Sequence, residues 1–240
     1  MLKARYILLI LISFFFISCQ EELTGEALLN KSINYHDPES NWPTFNGVLN
    51  VTMEIPNQPK RDSEIHIDLP NDSFYLKAVR DTLTTTYEVK SDRCRITFNG
   101  RTEFTEEEIK THRLDCDRAK MYRNYYTYLY GLPMKLKDPG THVSELVERK
   151  TFKGKEYLVL KATYDEKVGS DVWFFYFDPE TYAMEIYQFY KTDENGKMKS
   201  DSGEYILLTE ESVINDIKMP KIRAWYYNKD DGYLGTDILN

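Results

Sequence analysis

Along most of the chain, apolar and polar residues alternate with a period of two, the pattern of strands that bury one face. Phe45, Gly47, Leu49, Val51, Met53 and Ile55 alternate with Asn46, Val48, Asn50, Thr52 and Glu54. Ile65, Ile67 and Leu69 alternate with Glu64, His66 and Asp68, and further strands are expected over 74–79, 82–89 and 94–98. Turn residues separate them at Asn57-Gln58-Pro59, Pro70-Asn71-Asp72 and Asn99-Gly100. A hairpin over 145–152 and 157–164 follows later, and the final segments are expected at 203–208, 213–218, 222–227 and 233–238. The pattern predicts an antiparallel meander of about eleven strands.

Two stretches break the period. Residues 24–35 read as a helix behind the cap residue Thr24, because Leu28, Leu29, Ser32, Ile33 and His36 follow a three-to-four spacing, and His36-Asp37-Pro38 stops it. Near 105–131 the meander is interrupted by a helical insertion. Thr105 and Glu108 form a capping box, Asp117 is the expected cap of a second helix ending at Gly131, and Tyr122, Tyr126 and Leu129 share one face flanked by Met121, Tyr125 and Tyr128. That stripe reads as core or as a lid over a ligand.

Asp171 to Tyr190 is the most aromatic segment. Asp178-Pro179-Glu180-Thr181 suits a type I turn, and pairing Asp178 with Thr181 opposes Phe177 to Tyr182, Phe175 to Met184 and Trp173 to Ile186 on a wholly apolar face. A slip of one residue would exchange the faces. The face is suited either to a packed core or to the wall of a lipid-sized cavity.

The N-terminus adds a location. Lys3 and Arg5 precede an apolar run, Tyr6 to Ile17, that is shorter than the roughly 20 residues of a spanning helix. Residues 1–18 therefore read as a cleaved signal peptide. Its end, Phe16-Ile17-Ser18-Cys19, resembles a bacterial lipoprotein box in which Cys19 becomes the acylated first residue, although Phe16 stands where Leu is usual. Two or more acyl chains anchor stably where one does not. Residues 19–23 then form a lipidated linker, and Gln20-Glu21-Glu22 resembles the surface-export signal of some Bacteroidota lipoproteins. The expected location is the cell envelope, as an outer-membrane lipoprotein on the periplasmic face or at the cell surface. With Cys19 acylated, Cys94 and Cys116 remain as an even pair in an oxidising compartment, so a disulfide is expected, with two buried thiols as the alternative.

Composition agrees with one α+β domain over 24–240: the chain has 240 residues, 41% hydrophobic and 29% charged, with 19 Tyr and 12 Phe. The formal charge of −8 becomes −10 without Lys3 and Arg5, which argues against a nucleic-acid partner.

No nucleophile elbow, zinc-protease, Cys-x-x-Cys or phosphate-loop motif occurs, and His36, His66, His112 and His142 stand far apart in sequence. His36-Asp37 would make a poorly facing base pair, and a helix-terminal histidine bonding a carbonyl is the simpler reading. Residues 193–204 have the length of a calcium loop, but Lys197 and Met198 occupy its fifth and sixth positions. No cofactor, metal or catalytic residue is expected.

Several stretches together resemble a family of Bacteroidota lipoproteins without assigned function: Asn34-Tyr35-His36-Asp37-Pro38 with Trp42, 125–136, 171–178, Gly203-Glu204-Tyr205, 220–226 and Leu234-Gly235-Thr236-Asp237. That family is similar to the LolA/LolB superfamily of lipoprotein carriers. The resemblance implies an open antiparallel half-barrel with helices covering its concave face, and a monomer that binds an acyl chain, a lipid or a lipoprotein. The candidate cavity residues are Trp173, Phe175, Phe177, Tyr182, Met184 and Ile186 from the sheet, with Tyr122 and Tyr126 from the lid. A structural or protein-interaction lipoprotein and a hydrolase are the alternatives; an apolar void beside Trp173, Phe175, Phe177 and Met184 separates the first reading from the second.

Overall fold

The computed structural model describes residues 22–240, so Cys19 and the signal segment lie outside the described residues. Helix α1 (Gly25–His36) starts where the Thr24 hydroxyl accepts the Ala27 amide at 3.2 Å, and it buries Leu28, Leu29, Ser32 and His36 as its period requires. Five strands follow: β1 (Asn46–Glu54), β2 (Arg61–Asp68), β3 (Ser73–Arg80), β4 (Leu83–Lys90) and β5 (Arg93–Phe98). Helices α2 (Glu106–His112) and α3 (Cys116–Gly131) come next, then seven strands: β6 (Thr141–Phe152), β7 (Lys155–Tyr164), β8 (Val172–Phe177), β9 (Met184–Tyr190), β10 (Glu204–Ile214), β11 (Ile217–Tyr227) and β12 (Tyr233–Leu239).

All twelve strands form one open antiparallel sheet in the order β5-β4-β3-β2-β1-β12-β11-β10-β9-β8-β7-β6. The first and last strands pair in the middle, Met53 opposite Asp237, so the two free edges, β5 and β6, are consecutive in sequence. Their connection is the helical insertion, which therefore crosses the open side of the curved sheet. Under α3 the concave face of β1–β5 buries Leu49, Ile65, Leu76 and Phe74; under α1 the concave face of β7–β10 buries Leu160, Phe175, Phe177 and Ile206. The half-barrel is thus filled as two adjoining cores rather than one. The Cys94–Cys116 disulfide ties β5 to the first residue of α3, with Cα atoms 5.8 Å apart.

The open antiparallel half-barrel of about eleven strands is found, with twelve. Three expectations are corrected. Residues 213–218 are not a strand of their own: Asn215 and Asp216, both at positive φ, form a tight hairpin turn between long β10 and β11. The cap of α3 is Asp115, whose Oδ1 accepts the Arg118 amide at 2.7 Å, with Asp117 inside the first turn. The aromatic hairpin has a different register, for two reasons. Tyr182 turns the chain at φ 64° and its amide reaches back to the Asp178 carbonyl, so the loop is two residues longer and the ladder opens with Asp178 and Ala183. Phe177 then faces Met184, but a bulge between Tyr176 and Phe177 shifts every later pair by one: Tyr176 opposes Ile186, Phe175 opposes Tyr187 and Trp173 opposes Phe189. Ile186 therefore lies on the convex face with Tyr157, Val159 and Tyr176, whereas Tyr187 and Phe189 turn inward.

Candidate functional site

Strand register lays out the inner face as rows of neighbours. One row runs Trp173, Phe189, Glu204 across β8, β9 and β10. The next runs Phe175, Tyr187, Ile206, Trp225, Gly235 from β8 to β12. A third runs Arg223, Asp237, Met53, Arg61 across β11, β12, β1 and β2. Between these rows and α3 lies a cavity of about 410 Å³. Its walls are Trp173, Phe189 and Trp225 from the sheet, Tyr125, Tyr128 and Leu129 from α3, and Met53, Ile55 and Leu234 at the far end. Three carboxylates, Asp171, Glu204 and Asp237, complete the lining. The volume lies within the roughly 300–1,000 Å³ of small-molecule sites. Tyr125, Tyr128, Asp171 and Trp173 also border a wider groove of about 1130 Å³ beside α3, so the cavity adjoins that groove at Asp171.

Glycine 203 sets one wall. It sits at φ +73° immediately before Glu204, and a Cβ there would stand 1.9 Å from the Phe189 carbonyl oxygen, so only glycine lets β10 approach β9 closely enough to bring Glu204 beside Phe189. Trp173 and Phe189 stack with ring centroids 4.9 Å apart. The Tyr128 hydroxyl is hydrogen-bonded to that of Tyr164 on β7, which fixes this side of α3 over the sheet.

The third row puts charge inside the molecule. Arg223 is 1% exposed; its Nη1 donates to the Pro220 carbonyl at 3.0 Å, its Nη2 to the Leu129 carbonyl at 3.5 Å, and its guanidinium lies 4.1 Å from the centre of the Tyr130 ring. Leu129 is in the last turn of α3, where unpaired carbonyls and the helix dipole favour a cation. Arg61 donates to the Tyr126 hydroxyl at 2.6 Å. The fully buried Arg223 and the partly buried Arg61 thus hold one face of α3. Asp237 stands between them in register and accepts the Trp225 indole N–H at 3.2 Å. Burial pushes its pKa up while Arg223 and Arg61 pull it down, and the net shift is upward. Burial likewise raises Asp171 and Glu204, against the pull of Lys191.

Of the expected cavity residues, Trp173 lines the space. Phe175, Phe177 and Met184 are buried in the core that Leu28 and Leu29 of α1 join, away from this cavity. Tyr182 belongs to the hairpin loop, with Lys31 Nζ 4.7 Å from the centre of its ring. Tyr122 and Tyr126 pack over β1–β5, Tyr122 against Tyr87 and Tyr126 against Phe74, on the far side of α3 from the cavity. Sequence reasoning missed Phe189, Glu204, Trp225, Leu234 and Asp237, and placed Tyr125 and Tyr128 only as flanks. A signal for them existed: 125–136, 171–178, 203–205, 220–226 and 234–237 all contribute to the cavity or its arginine row. His36 and Asp37 do not face one another as a pair. His36 Nδ1 bonds the Lys218 carbonyl at 2.8 Å, and the Asp37 carboxylate accepts the Asn41 and Trp42 amides at 2.7 and 2.8 Å. Among the described residues no helix is long and apolar enough to cross a membrane, and no three His, Cys, Asp or Glu are grouped to hold a metal ion.

The fold is similar to that of a LolA superfamily protein from Nitrosomonas europaea, with a TM-score of 0.54 at 9% identity over 90% of this chain and 91% of that one. A DUF1329 family protein from Desulfovibrio piger gives a TM-score of 0.49 at 8% identity over 90% of each chain. The first likeness establishes a LolA-like fold for this open sheet; at such identities it is a likeness of fold alone. No curated protein is matched by the sequence at a significant level. A family model matches residues 3–239, nearly the whole chain, and the protein belongs to that family, the family of unknown function DUF6503.

Proposed function

We propose that this protein is a lipid-anchored lipoprotein of the bacterial cell envelope, of the Bacteroidota type, that binds an acyl chain, a lipid or a lipoprotein in its half-barrel without catalysing a reaction. The observation that carries the reading is the aromatic cavity between α3 and β8–β12. The basic and apolar N-terminus ending at Cys19 supports the anchor. A chain held at the outer membrane by acylated Cys19 does not shuttle, so it acts as a monomeric acceptor or retainer of its ligand.

The test is native mass spectrometry of the mature chain carrying Cys19→Ser, produced in cells that supply lipids, followed by denaturation and lipid extraction. A stoichiometric co-purified amphiphile is expected, and Met53→Trp, which fills the far end of the cavity, abolishes it. A ligand-free protein that also ignores fluorescent fatty acids would refute the proposal.

A further inference from the structure

The carboxylates of the cavity specify the ligand further, on the basis of the binding function proposed above. Trp173, Phe189 and Glu204 are successive neighbours in one row, and Asp171 stands two residues before Trp173, just ahead of β8. Both carboxylates line the cavity, and Asp171 also borders the adjoining groove. Among the described residues neither side chain has a hydrogen bond or an ion pair, and no Lys, Arg or His lines the cavity. Lys191 is exposed and makes no ion pair with either, so solvent screens it. Deeper in the wall Asp237, 5% exposed, uses Oδ2 to accept from Trp225 and leaves Oδ1 without a partner. The charge of Asp237 is answered from within its own row by Arg223 on one side and Arg61 on the other. That of Asp171 and Glu204 is opposed only by the exposed Lys191, with no charged group in contact.

An anionic group set in an apolar wall without a counter-charge is costly, and a ligand that brings the counter-charge removes that cost. Aromatic faces attract the same kind of ligand, because their quadrupole favours a cation within about 6 Å of the ring centre. Trp173 and Phe189 stand in the same row as Glu204, at the Asp171 end of the cavity. The remaining walls, Tyr125, Leu129, Met53 and Leu234 among them, suit hydrocarbon.

We infer that the cavity takes an amphiphile with an ammonium head. The head sits between Asp171 and Glu204 beside Trp173 and Phe189, and the hydrocarbon part runs beneath α3 towards Met53 and Leu234. An anionic head would meet two uncompensated carboxylates at the same place.

Three probes with one chain and different heads separate the readings: decyltrimethylammonium, 1-decanol and decanoate, each below its aggregation concentration, titrated by calorimetry at pH 7.5 into the mature chain carrying Cys19→Ser. The ammonium is expected to bind about tenfold or more tightly than decanol or decanoate. The double variant Asp171→Asn/Glu204→Gln should bring the ammonium down to the affinity of decanol and leave decanol unchanged, and Met53→Trp should abolish all binding. Equal binding of the three, lost in Met53→Trp, would overturn the head-group assignment while sparing the cavity. Tighter binding of decanoate, or an ammonium preference that survives the double variant, would overturn it as well. No binding of any probe would sink this inference together with the proposed function.

Discussion

His36 is expected to make the protein sensitive to mild acid. Its ring is 1% exposed at the end of α1, where Nδ1 lies 2.8 Å from the Lys218 carbonyl and Nε2 accepts the Met184 amide at 3.0 Å. The carbonyl takes the Nδ1 proton, so Nε2 must be bare to accept, and the ring is neutral. Burial pushes the pKa below the usual histidine value, outweighing the Lys218 carbonyl, which pulls it up. The unfolded chain therefore binds a proton that the folded chain excludes. The stability this neutral ring supports is present above about pH 6.5 and is lost as pH falls, with a slope approaching about 1.4 kcal/mol per pH unit. His36→Leu removes both hydrogen bonds and should cost about 1–3 kcal/mol at pH 7. Because Leu does not titrate, its urea-unfolding curve lacks the acid-dependent part. The gap between wild type and variant should narrow steadily from pH 7 to pH 5. Asp171, Glu204 and Asp237, whose pKa values are raised, run in the opposite direction in both proteins and cancel in the difference. Parallel curves for the two proteins over this range would refute the assignment of a buried neutral ring.

Two further outcomes test the frame of the site. Cys94→Ser/Cys116→Ser opens a link of 22 residues and should lower stability by about 3 kcal/mol in the chain-entropy account, read as a lower guanidinium midpoint; an unchanged midpoint would mean that the link between β5 and α3 does not constrain the unfolded chain. Gly203→Ala should cost clearly more than Gly196→Ala: the two share nearly the same φ, +73° and +74°, but a Cβ at 203 meets the Phe189 carbonyl whereas nothing lies within 4 Å at 196. The Gly196 change should cost about 1 kcal/mol by thermal unfolding, and equal losses would refute the close approach.

The alternation of apolar residues made β1–β5 legible, because each buries one face and a period of two has one meaning there. The helices were legible from Thr24 and from the Thr105–Glu108 box, whose reciprocal bonds form as the residue types demand. Register was not legible. A four-residue turn motif does not announce that Tyr182 will extend the loop at positive φ, or that the next strand will bulge. The bulge has a partner far away in sequence: the Met184 amide, at the start of β9, is bound by His36 from α1. One long-range hydrogen bond thus accompanies the pairing that turns Tyr187 and Phe189 inward and Ile186 outward, and no local pattern contains it.

The same limit explains the site. Periodicity assigns a residue to a face, but it cannot tell which part of that face a helix will fill. Leu28 and Leu29 of α1 fill the space over Phe175, Phe177 and Met184, the residues that looked most like a cavity wall. Space remains one row further along, at Trp173 and Phe189, and it runs beneath Tyr125 and Tyr128 to Leu234. Backbone geometry, more than loose packing, holds part of it open. Gly235 is the neighbour of Trp225 in register, and a Cβ there would stand 2.6 Å from the Glu54 carbonyl oxygen, so no side chain can enter from that position while β1 and β12 stay paired. Closing the cavity from the sheet would mean moving the junction that joins the two halves of the chain. The central strand pairing thus preserves a volume with two unpaired carboxylates at one end, while the third, Asp237, is flanked in its row by Arg223 and Arg61, which is the charge pattern that the ammonium proposal puts to the test.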